Sequence, residues 1–432
     1  MTDDTAAAPE TISYAESMPP YTGSMPSAEV LRIAMVEQLI DWRVITADSP
    51  VAHAMRCVPR HLFVPGAELD RAYAQEPVVT HTDADGTAIS SVSAPGVVAS
   101  MLEQLHVQPG QRVLEIGTGP GYNALLLADL VGPTGSVTTV EIDSRVAADA
   151  TRTLAEIGPS HLNVICADGD HGDPAHAPYD RIIVTAGAWQ VPATWRDQLA
   201  PGGRIVVPLR LNGLTRSLAF ELDDDGIWRS RSAAECGFIP IRGDGGVAEQ
   251  NTPLGPAGQP LVVLRTDDNR AINPRALHDA LDRPPALLWT GVSDAWGLCE
   301  HLDLWLADLP SFCRVLIMSQ ATAGGLAPLQ HSWGSMGAAT DTALAYLTLR
   351  PLGEAQPGVE IGIAAYGQDA ELLAQQVADR VHAWHHAGGG NGHLLVELHP
   401  ASGSGPLPGD TRLTIAKGDL RVIVRVAQPV PR

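Results

Sequence analysis

Cysteine is scarce in this chain of 432 residues, which holds five: Cys57, Cys166, Cys236, Cys299 and Cys313. They form no Cys-x-x-Cys pair and their number is odd. That excludes a zinc ribbon, argues against a disulfide framework and suits a reducing cytosol. Basic charge is short as well: 28 Lys and Arg face 49 Asp and Glu, a formal charge of −21. Nucleic-acid binders carry a basic face, so no tRNA, rRNA or DNA partner is expected. No apolar run reaches the roughly 18 residues of a membrane span. The opening stretch MTDDTAAAPETISYAESMPPYTGSMP is acidic and rich in Pro, Ser and Thr. It lacks the basic and apolar regions of a signal peptide. The expectation is a cytoplasmic protein that meets no membrane, with residues 1–27 as a disordered tail.

What is present is a regular alternation. Ser27 stands where it can cap a helix AEVLRIAMVEQLIDW, with Ile33, Val36 and Ile40 on one face. Pro95 opens another, with Val98, Met101, Leu102 and Leu105 as its buried stripe. RVLEIG (112–117), SVTTVEID (136–143), LNVICADG (162–169), YDRIIVTAG (179–187) and GRIVVPLR (203–210) read as strands separated mostly by helices. Strands alternating with helices make a doubly wound, mostly parallel sheet. RSLAFELDDDGIWRSR then reads as a hairpin with an acidic turn. A catalytic α/β domain of Rossmann-like type is expected over residues 28–250. The Pro- and Gly-rich stretch 251–262 reads as a linker, and residues 263–432 as a smaller α+β domain with a mostly antiparallel sheet.

LEIGTGPGYN places Gly117, Gly119 and Gly121 between a strand and a helix. That spacing lets backbone amides approach a ligand at a helix N-terminus. The nicotinamide fingerprint needs a glycine at 122, and Tyr122 stands there instead. Glu115 before the first glycine would repel a pyrophosphate but suits a cation, and S-adenosyl-L-methionine is a cationic ligand without phosphate. Thr118, Tyr122 and Asn123 complete the turn. Glu141 ends the next strand roughly twenty residues on, where a carboxylate accepts ribose hydroxyls. Asp168 and Gly169 end the third strand, where such a fold holds the adenine. No metal is expected. DGDHGD (168–173) has Asp173 and Tyr179 where an EF-hand loop needs glycine and glutamate. His382, His385, His386 and His393 read as a solvated helix end and loop.

Just upstream lie three serines, Ser90, Ser91 and Ser93, with neither histidine nor cysteine among them. They either cap the Pro95 helix or hold a substrate. The motifs MVEQLI (35–40), VPRHLFVP (58–65), AYAQEPV (72–78), VSAP (92–95), VLEIGTGPGYNALLLA (113–128), VEID (140–143), ADG (167–169), YDRIIVTAG, LAPGGRIVVP (199–208) and GFIP (237–240) occur in order. Over about residues 28–245 the chain thus resembles the protein-L-isoaspartate O-methyltransferase family. The resemblance implies methylation, with S-adenosyl-L-methionine, of the free carboxylate of an isoaspartyl residue. S-adenosyl-L-homocysteine is released, and the ester closes to a succinimide. It also implies Ser93 as a residue lining the acceptor site, with Ser91 where threonine is common. A carboxylate, with a pKa of about 4, is already ionised at neutral pH and needs no general base. Positioning is enough, so hydroxyls suit the task.

Two departures stand out. Pro95-Gly96-Val97 replaces the family's usual Pro-His-Met, with Val98 at a commonly polar position, and the chain runs far past GFIP. Extended members resemble enzymes that tailor ribosomally made lanthipeptides, lasso peptides and graspetides. The leading expectation is therefore a carboxyl O-methyltransferase acting on an aspartate of a macrocyclic precursor peptide, giving aspartimide or isoaspartate, with the C-terminal domain recognising that peptide. The alternatives are a general isoaspartyl repair enzyme with an accessory domain, and a catalytically silent peptide-binding protein.

Overall fold

The computed structural model describes residues 26–427 except 257, 268–269, 295–298, 300, 319–334, 354–357, 392 and 404–406. Most of the tail expected over 1–27 lies outside the described residues. Helix α1 (Ala28–Asp41) starts where Ser27 accepts a hydrogen bond from the Val30 amide. Its buried face is Met35, Val36 and Leu39, while Ile33, expected there, is 43% exposed. Helices α2 (Pro50–Cys57) and α3 (Leu69–Tyr73) lead into a two-stranded ribbon, β1 (Val78–Thr82) and β2 (Ala88–Val92). Helix α4 (Pro95–Leu105) buries Val98, Met101, Leu102 and Leu105 as expected.

The α/β core follows in chain order: β3 (Arg112–Ile116), α5 (Tyr122–Val131), β4 (Ser136–Glu141), α6 (Ser144–Ile157), β5 (Leu162–Cys166), β6 (Tyr179–Val184), α7 (Ala193–Asp197) and β7 (Leu199–Arg210). Strands β5, β4, β3, β6 and β7 are neighbours in that order and all parallel. The hairpin β8 (Thr215–Leu222) and β9 (Trp228–Glu235) extends the sheet antiparallel. This is the doubly wound, Rossmann-like architecture expected from the alternation, and the parallel strands place their C-terminal ends on one rim, where such sheets bind ligands.

The second half departs from a simple two-domain arrangement. It comprises β10 (Gln250–Leu254), β11 (Val262–Thr266), α8 (Pro274–Leu281), β12 (Ala286–Asp294), α9 (Leu302–Leu306), β13 (Phe312–Ile317), β14 (Ser335–Ala339), β15 (Ala343–Pro351), β16 (Val359–Gly367), α10 (Ala370–His386), β17 (His393–Pro400), β18 (Thr411–Lys417) and β19 (Leu420–Ala427). Among the described residues β10 to β16 form a seven-stranded antiparallel sheet in the order β10-β11-β13-β14-β15-β16-β12. The last three strands return to the catalytic sheet: β17 pairs with β9 through Glu397↔Arg229 and Leu398↔Trp228. That sheet therefore has ten strands among the described residues, β18-β19-β17-β9-β8-β7-β6-β3-β4-β5. The expected linker at 251–262 is partly strand β10, and no division into separate cores falls there. One continuous core joins Ile116, Val184, Ile205 and Phe220 to Ile363, Val377, Val396 and Val424. Hydrophobic alternation in HLLVELHP predicts a strand but does not say which sheet edge it covers. The exposed edge of β9 would be a liability, and β17 removes it. No helix among the described residues is long and apolar enough to cross a membrane.

Candidate active site

At the end of β3 the chain turns through Gly117, Gly119 and Gly121, all at positive φ (101°, 52° and 101°). At Gly117 a side chain would be strained by that φ and its Cβ would meet Thr185 Oγ1 at 2.8 Å. Glycine is thus required where the backbone closes on β6. Glu141, the last residue of β4, anchors the turn: its carboxylate accepts from the Gly119 amide at 3.0 Å and the Asp143 amide at 3.1 Å. Burial raises its pKa.

Glu115 lies one layer below. It is fully buried, accepting from Asn123 Nδ2 at 2.7 Å and from Thr139 Oγ1 at 2.6 Å. Since Thr139 gives its proton to Glu115, the 2.7 Å contact between Thr118 and Thr139 must be donated by Thr118. Burial pushes the Glu115 carboxyl up to about 7 from an ordinary 4.5, against the pull of those two donors. Between these values the folded chain holds a proton that the unfolded chain has lost. Stability should therefore fall as pH rises from about 4.5 to about 7, by up to ~1.4 kcal/mol per pH unit from this group. Urea unfolding across that window should show the slope, and Glu115→Gln should flatten it. An unchanged slope in the variant would place the titrating group elsewhere.

The serines lie directly over the turn. A Cβ on Gly119 would stand 3.5 Å from both Ser90 Oγ and the Ser91 carbonyl. Ser90 is buried and accepts from Thr80 Oγ1 at 3.2 Å. The N-cap of α4 is Ala94 and no side chain bonds to it, so the serines do not cap that helix. Ser91 and Ser93 make no side-chain hydrogen bond among the described residues. Their loop is held from behind by Arg60, a fully buried guanidinium that donates to the carbonyls of Ala72 (2.8 Å) and Val92 (3.4 Å). Arg60 also sits 5.2 Å from the centre of the Tyr122 ring. Sequence reasoning did not single out Arg60, although it is the arginine of VPRHLFVP.

A cavity of about 790 Å³ opens between the serine loop and the glycine turn. Of the expected residues, Ser91, Ser93, Gly117, Thr118, Gly119, Tyr122, Asn123, Glu141 and Gly169 line it. Glu115, Gly121 and Asp168 do not. Gly121 backs onto Leu154. The Asp168 carboxylate is turned to the amides of Asp170 (2.9 Å) and Asp244 (2.8 Å), tying the loop after β9 to the end of β5. The far wall comes from residues that sequence spacing could not have gathered: Phe238 to Arg242, Glu249, Arg265 on β11 and Arg314 on β13.

A cationic nucleoside fits this site. A carboxylate with lone pairs to spare faces the cavity at the end of β4, a second carboxylate lies beneath, and a glycine turn exposes backbone at a helix N-terminus. Fold and site together define an S-adenosyl-L-methionine-dependent methyltransferase. Residues 31–245 match the family model of protein-L-isoaspartate(D-aspartate) O-methyltransferase. The protein-L-isoaspartate O-methyltransferase of Methanopyrus kandleri is 40% identical over 219 residues, covering 50% of this chain and 94% of its own length. That of Aeropyrum pernix is 41% identical over 220 residues, covering 50% and 82%. A solved protein-L-isoaspartate O-methyltransferase aligns with 85% of this chain and 96% of itself, with 22% identity and a TM-score of 0.47. The chain belongs to the protein-L-isoaspartate(D-aspartate) O-methyltransferase family and is a carboxyl methyltransferase enzyme.

Proposed function

We propose that the chain methylates the free carboxylate of isoaspartyl residues in proteins or peptides, held between Ser91, Ser93 and the glycine turn. One observation carries the reading. Two serine hydroxyls with no partner among the described residues face the same cavity as Gly117, Gly119 and Glu141. The cofactor, when bound, supplies an electrophilic methyl carbon on a sulfonium, and its transfer to a carboxylate oxygen leaves a methyl ester and S-adenosyl-L-homocysteine.

The chain's own residues bind and align. Glu141 offers ribose hydroxyls the lone pairs left over by Gly119 and Asp143. Thr118, Tyr122 and Asn123 bound the turn, Gly169 the adenine side, and Glu115 and Asp168 hold the frame from behind. Ser91 and Ser93 donate to the acceptor carboxylate without changing its charge, and Arg60 keeps their loop in place. Among the described residues no histidine lines the cavity, and the one cysteine there, Cys236, is pushed up to about 12 by burial and stays a neutral thiol. Alignment of an anion that is already ionised is the catalysis this site is built for.

The test uses the full chain, S-adenosyl-L-methionine and a synthetic isoaspartyl peptide, with the methyl ester read by mass. Ser93→Ala should lower kcat about ten- to hundred-fold, the worth of one hydrogen bond to a charged group. Affinity for S-adenosyl-L-homocysteine should stay as it is. Absence of any ester with the unaltered chain would overturn the reading.

The names of the relatives favour isoaspartate over the aspartate of a constrained ribosomal peptide. One observation supports the latter: Glu249, Arg265 and Arg314, all beyond the matched residues 31–245, wall the same cavity. Methylation of a macrocyclic peptide bearing ordinary aspartate, at a rate above that of a linear isoaspartyl peptide, would decide for it.

A further inference from the structure

The loop after β9 straps the ends of three parallel strands. Beyond β6, its Ile239 carbonyl accepts from the Gly187 amide at 2.9 Å, and its Ile241 amide donates to the Gly187 carbonyl at 3.0 Å. Beyond β5, its Asp244 amide donates to the Asp168 carboxylate at 2.8 Å. Gly243 fits this path at a φ of 86°, and a Cβ there would collide with Asp168. Between the two anchors stands Arg242. Its guanidinium lies 3.9 Å from Glu141 Oε1 and 3.6 Å from Asp143 Oδ2, at the end of β4. A backbone held on both sides thus delivers one cation to two carboxylates.

The two carboxylates differ. Asp143 does not line the cavity. It caps α6 through the amides of Arg145 and Val146 and pairs with the Arg145 guanidinium at 3.1 Å. Arg145 chiefly pushes its pKa down to about 2, so it stays ionised. Glu141 lines the cavity beside Arg242 and is buried. Burial raises its pKa, and the Asp143 charge adds to that, against the amides of Asp143 and Gly119 and then Arg242. One layer below, Glu115 is a further acid coupled to Glu141. Arg242 is the cation that opposes this crowding.

We infer that Arg242 is a positioning residue for the cofactor, its guanidinium steadying the Glu141 carboxylate, as an anion, where the ribose hydroxyls meet it. This rests on reading the end of β4 as the ribose site. At 3.9 Å the guanidinium is too far to form a hydrogen bond. It therefore acts through charge and takes none of the lone pairs that the ribose needs. An opposite charge at such a distance favours the ionised carboxyl, and only that form offers both oxygens purely as acceptors. Asp143 holds the guanidinium from the other side. The same strap carries Phe238, Ile239 and Pro240 on the far wall of the cavity, so one loop serves both the wall and the cofactor's anchor.

The experiment titrates S-adenosyl-L-homocysteine into the full chain and its variants by calorimetry, from about pH 5.5 to about pH 8, where carboxyls raised by burial titrate. The Arg242 side chain is 38% exposed, so its substitution leaves the core intact. Protons compete with the ribose for Glu141, and without the guanidinium they compete at higher pH. Arg242→Gln should therefore weaken binding about tenfold at the acid end and less than about threefold at the alkaline end. Arg242→Lys should recover most of the loss. Glu115 titrates in the same window in every variant, so the differences between variants carry the result. In a Glu141→Gln background, Arg242→Gln should cost nothing further. No loss, a loss equal at every pH, or one that persists in the Glu141→Gln background overturns the inference. Weak binding by Glu141→Ala beside an unchanged Arg242→Gln removes this inference alone. Full affinity in Glu141→Ala removes the ribose reading and the inference with it.

Discussion

A chain ended after Thr252 is expected not to fold, although it contains every residue of the family match. The cut removes β17, whose residues Glu397 and Leu398 pair with Arg229 and Trp228 on β9. It also removes the Glu397 carboxylate, 3.1 Å from Arg229 Nε, and the Val396 amide, which donates to Ser230 Oγ at 2.8 Å. Beyond the pairing, one core is shared. Leu209, Leu218, Phe220 and Trp228 would lose the cover of Leu302, Ile363, Val377, Val396 and Val422. Each large apolar side chain returned to water costs about 1.5–3 kcal/mol. Five or six of them match the whole net stability of a domain, about 5–15 kcal/mol. Expression of residues 1–252 should give insoluble protein, or a soluble species without a cooperative thermal transition by circular dichroism. A fragment that melts cooperatively and binds S-adenosyl-L-homocysteine would show that the N-terminal half closes its own core.

Glu141→Ala should weaken cofactor binding about ten- to hundred-fold. Two costs combine. On the proposed reading the ribose hydroxyls lose an acceptor, and the amides of Gly119 and Asp143 lose theirs, so the glycine turn is no longer held in its shape. A hydrogen bond to a charged group contributes about 1.5–3 kcal/mol, and 1.4 kcal/mol is tenfold in affinity. Glu141→Gln keeps one amide acceptor and should fall between the two. Asp168→Ala should cost less, because that carboxylate faces Asp170 and Asp244 rather than the cavity. Isothermal titration with S-adenosyl-L-homocysteine ranks the three. Full affinity in Glu141→Ala would remove the end of β4 from the cofactor site.

The sequence by itself determined the parallel sheet, the glycine turn and the helix opened by Pro95. Each is a local signal: alternating strands and helices, a run of glycines at a strand end, a proline opening a helix. A local pattern fixes local structure, and the connection rules of a doubly wound sheet bring the strand ends to one rim. That places Gly117, Glu141 and Gly169 together without further information. Depth was not legible. Glu115 and Glu141 are both acids at strand ends, and the register Glu115↔Thr139 puts them on the same face of the sheet, yet Glu141 stands two residues nearer the rim and lines the cavity while Glu115 lies beneath the turn. Nor could spacing assign Asp168 to the loop at Asp244, or bring Arg60 under Val92. Most of all, only the tertiary structure decided where the second half goes. HLLVELHP and LRVIVRVAQ have the alternation of strands for any antiparallel sheet. Their place beside β9 comes from an unpaired edge and an uncovered core far away in sequence. The opposition of Arg265 to Arg314 likewise comes from a long-range strand pairing whose register no local pattern records.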